Sequence, residues 1–414
     1  MRIAIIGSGI AGNTLAYHLY KNHDITIFEA ESHIGGHTHT HNIDFFGDTY
    51  QIDTGFIVFN DRTYPNFIKM LDELKVPWLP TSMSFSVRDE QTGLEYNGTS
   101  LNSLFAQRRN LFSPRFHGMI ADILRFNKIS LALLNVENEI SLGDYLAENN
   151  FGAAFIHQYI VPMGAAIWST DTGNMMRFPA RFFVRFFHHH GFLTVNNRPQ
   201  WRTIVGGSAK YVEMMTEPFK HHYRLNTAIT SIRRTENDVK IKANNAAEQT
   251  FDYVFFACHS DEALAMLSDA SVAEKEILSA FPYQENSVYL HHDASLMPKR
   301  KLAWAAWNYH IATKHTSKVS VTYNMNILQN IKSPEPILVT LNHTDSINPA
   351  KVIKRLKYTH PLYTLAGVAA QARHTEISGK NRTGFAGAYW HSGFHEDGVV
   401  SALEALKHFE KSIK

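Results

Sequence analysis

The stretch Arg2-Ile3-Ala4-Ile5-Ile6-Gly7-Ser8-Gly9-Ile10-Ala11-Gly12 constrains this chain more than any other. An apolar run of strand length meets three glycines spaced G-x-G-x-x-G, and Leu15, Ala16 and Leu19 continue at helical spacing. Strand, tight turn and helix in that order make the phosphate-binding corner of a dinucleotide-binding fold. Gly7 allows the turn, Gly9 lets backbone N–H groups approach a pyrophosphate, and Gly12 lets helix and strand pack closely. Ser8, Ile10 and Ala11 complete the corner, and the helix N-terminus that follows favours negative charge. The next strand-like run, Asp24 to Phe28, leads into Glu29 and Ala30. An acidic side chain about twenty residues beyond the turn accepts from ribose hydroxyls and repels a 2′-phosphate. A dinucleotide without that phosphate is the expected ligand.

Ile34-Gly35-Gly36-His37-Thr38-His39-Thr40 comes next, and Tyr50-Gln51-Ile52-Asp53-Thr54-Gly55-Phe56 follows it. Paired glycines directly after the second strand suit a second backbone approach to phosphate or ribityl groups, which the long, bent FAD needs more than NAD does. The segments together resemble the flavoprotein superfamily of amine oxidases, phytoene desaturases and protoporphyrinogen oxidases. Its pattern is a Rossmann turn, an acidic strand end, G-G-R-x-x-[ST] and an Asp-x-Gly strand. This chain departs from it at His37, where the superfamily usually carries arginine.

That resemblance implies an α/β fold, with a Rossmann-like FAD-binding domain and an inserted α+β substrate domain. It implies cofactor contacts from Gly35, Gly36, His37, Thr38, Thr40, Asp53, Thr54, Gly55 and Phe56. Further along it implies contacts from Ile229, against adenine, and from Ala257. In the C-terminal stretch Gly387-Ala388-Tyr389-Trp390-His391-Ser392-Gly393-Phe394-His395-Glu396-Asp397-Gly398, it places Gly387 at the pyrophosphate and Phe394, Glu396 and Asp397 under the flavin. A helix opening there turns its positive end toward reduced, anionic flavin. Asp397 is expected to cap that helix and accept from the ribityl chain. Phe394 stands where amine oxidases carry a tyrosine of the aromatic cage, so the hydroxyl is missing. Tyr389 replaces a usual glutamate. Both departures favour an apolar substrate over an amine.

A chain of 414 residues, 44% of them apolar, can bury two or three domains' worth of core. Its formal charge of +2 gives no reason to expect nucleic acid as a partner. Cys258 is the single cysteine, which leaves no intrachain disulfide, no C-x-x-C site and no evident covalent flavin link. FAD is therefore expected to be noncovalent, and a reducing cytoplasm fits. The N-terminus reads as a sheet strand rather than a signal peptide, and no apolar run reaches the roughly 18 residues of a spanning helix. The 24 histidines include His37, His39 and His41 in alternation and His188 to His190 in a row. None pairs with cysteines or with a carboxylate at zinc-protease spacing, so no metal is expected.

Along the chain, Tyr64-Pro65 opens a helix, and Pro77 and Pro80 mark a domain exit. Met83 to Val87 and Leu94 to Tyr96 read as a hairpin. Leu101 to Leu134 is helical with a break at Ser113-Pro114, and Ser141 to Asp144 reads as a capping box. Helix continues around Phe155 to Ile167 and Arg181 to Phe187. The chain returns to the nucleotide domain near Trp201, with a helix over Ala209 to Thr216 and strands over Arg224–Ile232, Asp238–Ala243 and Phe251–Ala257. Ser287–His291, Leu302–Trp307, Val319–Tyr323 and Ile337–Leu341 complete the second sheet. The nucleotide domain is thus expected over 1–78, 198–282 and 376–414, and the substrate domain over 79–197 and 283–375.

A nearer likeness rests on G-G-H-T-H-T, D-T-G-F-I-V-F-N, A-A-I-W-S, R-P-Q-W-R-T-I-V-G-G-S, A-W-A-A-W-N and F-H-E-D-G. These strings look like the flavoproteins associated with cyclopropane-fatty-acid-synthase-type methyltransferases. The implied function is an FAD-dependent oxidoreductase that takes hydride from an apolar substrate, a lipid acyl chain, in functional association with a fatty-acid methyltransferase. Three alternatives stand beside it: a double-bond isomerase of fatty acids, an amine oxidase, and a non-catalytic flavin-binding partner of the methyltransferase. No catalytic base is identified; Trp307, Tyr309 and His310 are loose candidates at a strand end. Phe105, Leu111, Phe112 and Phe116 interleave with Arg108, Arg109 and Arg115, a mixture that suits peripheral contact with an anionic membrane face.

Overall fold

The computed structural model describes residues 1–136, 139–194, 196–244, 246–313 and 318–413. β1 (Arg2–Ile6) and β2 (Asp24–Phe28) lie side by side in a parallel sheet of five strands, ordered Tyr223–Arg224, β2, β1, Tyr253–Phe256, Thr383–Phe385. Parallel strands covered on both faces read as unbroken apolar runs, as Ile3 to Ile6 and Tyr253 to Phe256 do. α1 (Ile10–Leu19) buries Ala11, Leu15, Ala16 and Leu19 against this sheet. α2 (Pro65–Glu73) and the last helix, α3 (His395–Ser412), pack beside it, with α3 touching both others.

The second sheet has seven strands, ordered β3 (Val352–Pro361), Tyr283–His291, Leu338–Leu341, Val321–Asn324, Trp307–Ile311, Phe85–Asp89 and Leu94–Asn97. All neighbours are antiparallel except Trp307–Ile311 with Phe85–Asp89. Helices Pro114–Ile129, Val161–Trp168 and Ala180–His189 form the layer over it, joined to the sheet by one continuous apolar core. Ala180–His189 buries four phenylalanines, Phe182, Phe183, Phe186 and Phe187. Trp78–Thr81 and Trp201–Ile204, where the chain leaves and re-enters the first layer, pair with each other, and Trp201–Ile204 pairs on its other side with Phe59–Asn60.

Several elements differ from the sequence reading. Arg224–Ile232 is two strands: Tyr223–Arg224 finishes the parallel sheet, Asn226 turns with φ of 52°, and Ile229–Arg234 starts a three-stranded antiparallel unit. Phe251–Ala257 likewise divides at Asp252, between that unit and the parallel sheet, because an apolar run carries no mark of where a strand changes sheets. Leu302–Trp307 is displaced: Lys301–Ala303 is a short 3-10 turn and the strand runs Trp307–Ile311. β3 went unread because Lys354, Arg355 and Lys357 interrupt its apolar positions; charge of this kind is how an edge strand avoids pairing with other chains. Ser141 caps its helix through Asp144 N–H, yet Asp144 takes the Ser141 hydroxyl and not its N–H, so the box is half formed. Ser113 does cap the helix beginning at Pro114.

The arginine-rich segment is also partitioned by the fold. Phe116 is core and Phe105 packs against it, whereas Phe112 is 87% and Leu101 76% exposed. Among the described residues no helix is long and apolar enough to cross a membrane.

Candidate active site

A cavity of about 880 Å³ runs from the β1–α1 turn to the inner face of the seven-stranded sheet. That volume falls in the range of ligand and cofactor sites. At the nucleotide end Gly7 takes φ of +102°, and a Cβ there would sit 2.7 Å from the Ala257 carbonyl oxygen. A Cβ on Gly12 would collide with the Gly7 carbonyl, so Gly12 serves packing, as expected, and does not line the cavity. Gly9, at the N-cap of α1, has no side chain to cap the helix, and the helix N-terminus is left open to the cavity through Ile10 and Ala11.

Glu29 stands at the end of β2 with Oε2 accepting from Ser8 N (2.9 Å) and Ser8 Oγ (2.6 Å), and Oε1 accepting from Glu31 N (2.9 Å). A carboxylate has about four acceptor positions, so capacity remains for ribose hydroxyls. Ala30, Ile229 and Ala257 line the same end. Gly35 and Gly36 both have positive φ, and a Cβ on Gly36 would lie 3.1 Å from the Gly9 Cα. The two glycine turns therefore close on each other around one side of the cavity.

His37, Thr38, Thr54, Gly55 and Phe56 also line it. Thr38 Oγ1 and the Tyr211 hydroxyl are 2.7 Å apart, and that hydroxyl lies 2.7 Å from His395 Nε2. Phe56 stacks on the His395 ring at 3.7 Å, which burial keeps neutral by pulling its pKa down to about 3. The His37 Nε2 atom is buried with no protein partner. Gly387 and Phe394 line the cavity too, and Phe394 stacks on Phe186 with ring centroids 4.7 Å apart. An uncapped helix N-terminus, glycine cradles that a Cβ would fill and an unpartnered imidazole nitrogen together suit a dinucleotide.

Besides Gly12, four sequence-assigned residues do not line the cavity. Thr40 and Asp53 are held by each other, and Asp53 also accepts from Ser208 N (2.9 Å) and Ser208 Oγ (2.7 Å), while burial pushes its pKa up to about 6. Glu396 is committed to α2, accepting from Asn66 N (3.0 Å), Asn66 Nδ2 (2.7 Å) and Phe67 N (2.9 Å). Asp397 caps α3 by accepting from Phe394 N at 2.8 Å, and its burial raises it to about 6. The cap was legible in the sequence; the ribityl contact is not made from the cavity wall. All four are acids or hydroxyls beside true lining residues, and sequence adjacency cannot say which way a side chain points.

The other end of the cavity is aromatic. Tyr96, Tyr159, Trp168, Trp307, Tyr323 and Tyr363 line it with Met83, Phe85, Met163 and Ile167. Of the three loose candidates only Trp307 is there. Tyr309 is buried in the core, and His310 Nδ1 lies 3.0 Å from His343 Nδ1, away from the cavity. Most of these wall residues escaped the sequence reading because an aromatic at strand or helix spacing looks the same whether it meets core or cavity. The A-A-I-W-S string, which contains Trp168, was the nearest signal. The lining carboxylates, Glu29, Glu31 and Glu262, all stand at the nucleotide end, and Arg198 is the one Lys or Arg among the described lining residues. Cys258 also lines the cavity, but burial pushes its thiol well above the usual range, away from the reactive thiolate. Among the described residues no three His, Cys, Asp or Glu side chains converge as a metal site.

Residues 10–291 of the 414 match the sequence profile described as flavin containing amine oxidoreductase. No curated protein matches the chain significantly. Solved structures share the fold over its whole length. A protein provisionally assigned as a protoporphyrinogen oxidase from an Exiguobacterium species is 16% identical, with a TM-score of 0.71 over 100% of this chain and 98% of that one. Cyclohexylamine oxidase from Brevibacterium oxydans is 14% identical, with a TM-score of 0.71 over 100% and 99%. A fatty acid isomerase from P. acnes, described as producing CLA, is 17% identical, with a TM-score of 0.68 over 99% and 98%. The glycine corner, the shared fold and a profile match spanning more than half the sequence make this chain a flavin oxidoreductase of the flavin-containing amine oxidoreductase family.

Proposed function

We propose that the protein is an FAD-dependent oxidoreductase that removes hydride from an apolar substrate, a lipid acyl chain, with the FAD held noncovalently. The observation that carries this reading is the wall of the substrate end: aromatic and aliphatic side chains, with every lining carboxylate among the described residues at the opposite end. An ammonium substrate would be left there without an anionic partner, at a desolvation cost that apolar contacts do not offset. Phe394, lacking a hydroxyl, fits the same reading.

Bound flavin supplies a two-electron acceptor for the hydride. The chain's own residues supply position and dryness. Trp168, Phe186, Phe394 and Tyr363 exclude water and hold an acyl segment by shape. The N-terminus of α3, where Phe394 and His395 meet the cavity, contributes partial positive charge and so favours negative charge developing beside it. Loss of hydride must be matched by loss of a proton from the neighbouring carbon to give an alkene; among the described residues no carboxylate lines this end to take it, so that proton leaves to solvent.

A second reading, isomerisation of an unsaturated fatty acid, draws on the same wall and on the fatty acid isomerase of like fold. There the hydride is returned and no external acceptor is needed. Exposed Phe112 and Leu101 beside Arg108, Arg109 and Arg115 support delivery from an anionic membrane face. The test is anaerobic incubation with extracted membrane lipids, watching flavin bleaching, followed by mass analysis. Bleaching with a lipid two hydrogens lighter supports oxidation, and a lipid of unchanged mass with a moved double bond supports isomerisation. Bleaching by amines alone would overturn both.

A further inference from the structure

FAD carries two negative charges on its pyrophosphate, yet among the described residues no lysine or arginine lines the nucleotide end of the cavity; Glu29, Glu31 and Glu262 do. The open N-terminus of α1 offers about half a positive charge. What the wall does offer is histidine. His37, His259 and His360 come from three separate segments, with the His37 ring centroid 6.3 Å from His259 and 5.4 Å from His360. All three line the cavity, and His37 Nε2 is buried without a protein partner. The position in the G-G-H motif that would otherwise hold a guanidinium thus belongs to a titratable cluster.

We propose that His37, His259 and His360 form the pyrophosphate subsite, and that His37 and His360 provide its counter-charge by taking up a proton from solvent when the dinucleotide binds. The inference rests on the FAD reading above. Without ligand, burial holds His37 well below the ordinary histidine range, reinforced by its two neighbours, and burial brings His360 down to about 4. An anion placed among them reverses the balance, because an opposite charge within a few ångströms favours the protonated form. Other titratable groups face the cluster from each packed element. They are Cys258 and Glu262 from the start of the 260–266 helix, Tyr283 stacked on His259, Tyr358 on β3, and His395 on α3. Of these, His395 opposes a cation at His37.

Proton uptake makes FAD retention depend on pH. With one proton taken up per FAD, the dissociation constant rises about tenfold per pH unit between the titration point of the free cluster and the higher one of the complex, and levels off above it. The measurement is release of FAD fluorescence on dilution of the yellow holoprotein at several values between about pH 6 and 8.5, a window in which histidine charge is decided. A slope near one in log Kd against pH is expected for wild type. His37→Arg supplies a permanent charge and should retain FAD with a flatter slope. His37→Gln and His360→Asn should each bind more weakly at the low end and also lose slope. A flat wild-type profile overturns the proposal, as does a slope that survives in both His37→Gln and His360→Asn. Chromatography of the released flavin keeps the two readings apart: a flavin without a pyrophosphate refutes the FAD reading itself, whatever the slope.

Discussion

Glu29→Gln isolates the ribose contact at the end of β2. The substitution keeps the side-chain volume and one carbonyl oxygen but removes the charge. In the structure the carboxylate accepts from Ser8 N, Ser8 Oγ and Glu31 N and faces the cavity. Hydrogen bonds to a charged group contribute about 1.5–3 kcal/mol. Loss of that amount on the ribose side weakens FAD binding roughly ten- to 150-fold. Ser8→Ala is the control for an indirect effect. The Ser8 hydroxyl donates to Glu29 and accepts from Gly35 N, so its loss loosens the turn while leaving the carboxylate charge in place. A weakening of under about tenfold is expected from a single hydrogen bond of 0.5–1.5 kcal/mol. Both constants come from the fluorescence of FAD released on dilution of the purified holoproteins. Glu29→Gln within twofold of wild type would refute the ribose assignment. Ser8→Ala as damaging as Glu29→Gln would show that Glu29 acts by holding the turn.

Other outcomes follow from the same geometry. Glu274→Gln breaks the buried, two-pronged pair with Arg234, and the cost should be close to the lower bound of the roughly 3–5 kcal/mol typical of buried pairs, because Asp269 still partners the guanidinium; an unchanged denaturation midpoint would contradict this. Stability should rise with pH between about 4 and 6.5. Burial lowers His190, His291, His360 and His374 to about 4 in the folded chain, so the unfolded state binds more protons in that window. Asp53 and Asp397, raised to about 6, act in the opposite sense, with stability lost as pH rises from their unfolded values to about 6, but they are fewer. Urea midpoints at about pH 5 and 7 measure the balance, and equal midpoints would refute the assignment of neutral buried histidines. Wild-type protein should sediment with anionic vesicles, and replacing Leu101 and Phe112 by serine should abolish that without loss of flavin. Sedimentation unaffected by those changes, or absent in wild type, removes the membrane face from the route of substrate entry.

What the sequence determined by itself is the nucleotide corner. β1, the glycine turn, α1 and Glu29 lie within one short stretch, and a backbone that must take positive φ or admit a helix against a strand leaves glycine at fixed spacing as its trace. The helical cap by Asp397 was legible for the same reason, being a contact across three residues. Only the tertiary structure decided the rest. Glu396 and Asp53 read as cofactor ligands because they flank residues that line the cavity, yet their carboxylates are consumed by α2 and by Ser208, partners hundreds of positions away in one case and more than a hundred in the other. β3 was hidden by the charges an edge strand carries, and with it Tyr358 and His360. The aromatic wall is gathered from segments scattered between Met83 and Phe394. Local periodicity records only that a side chain leaves water. Whether it meets another side chain or an open cavity is set by how the two layers close on each other, and that information is long-range.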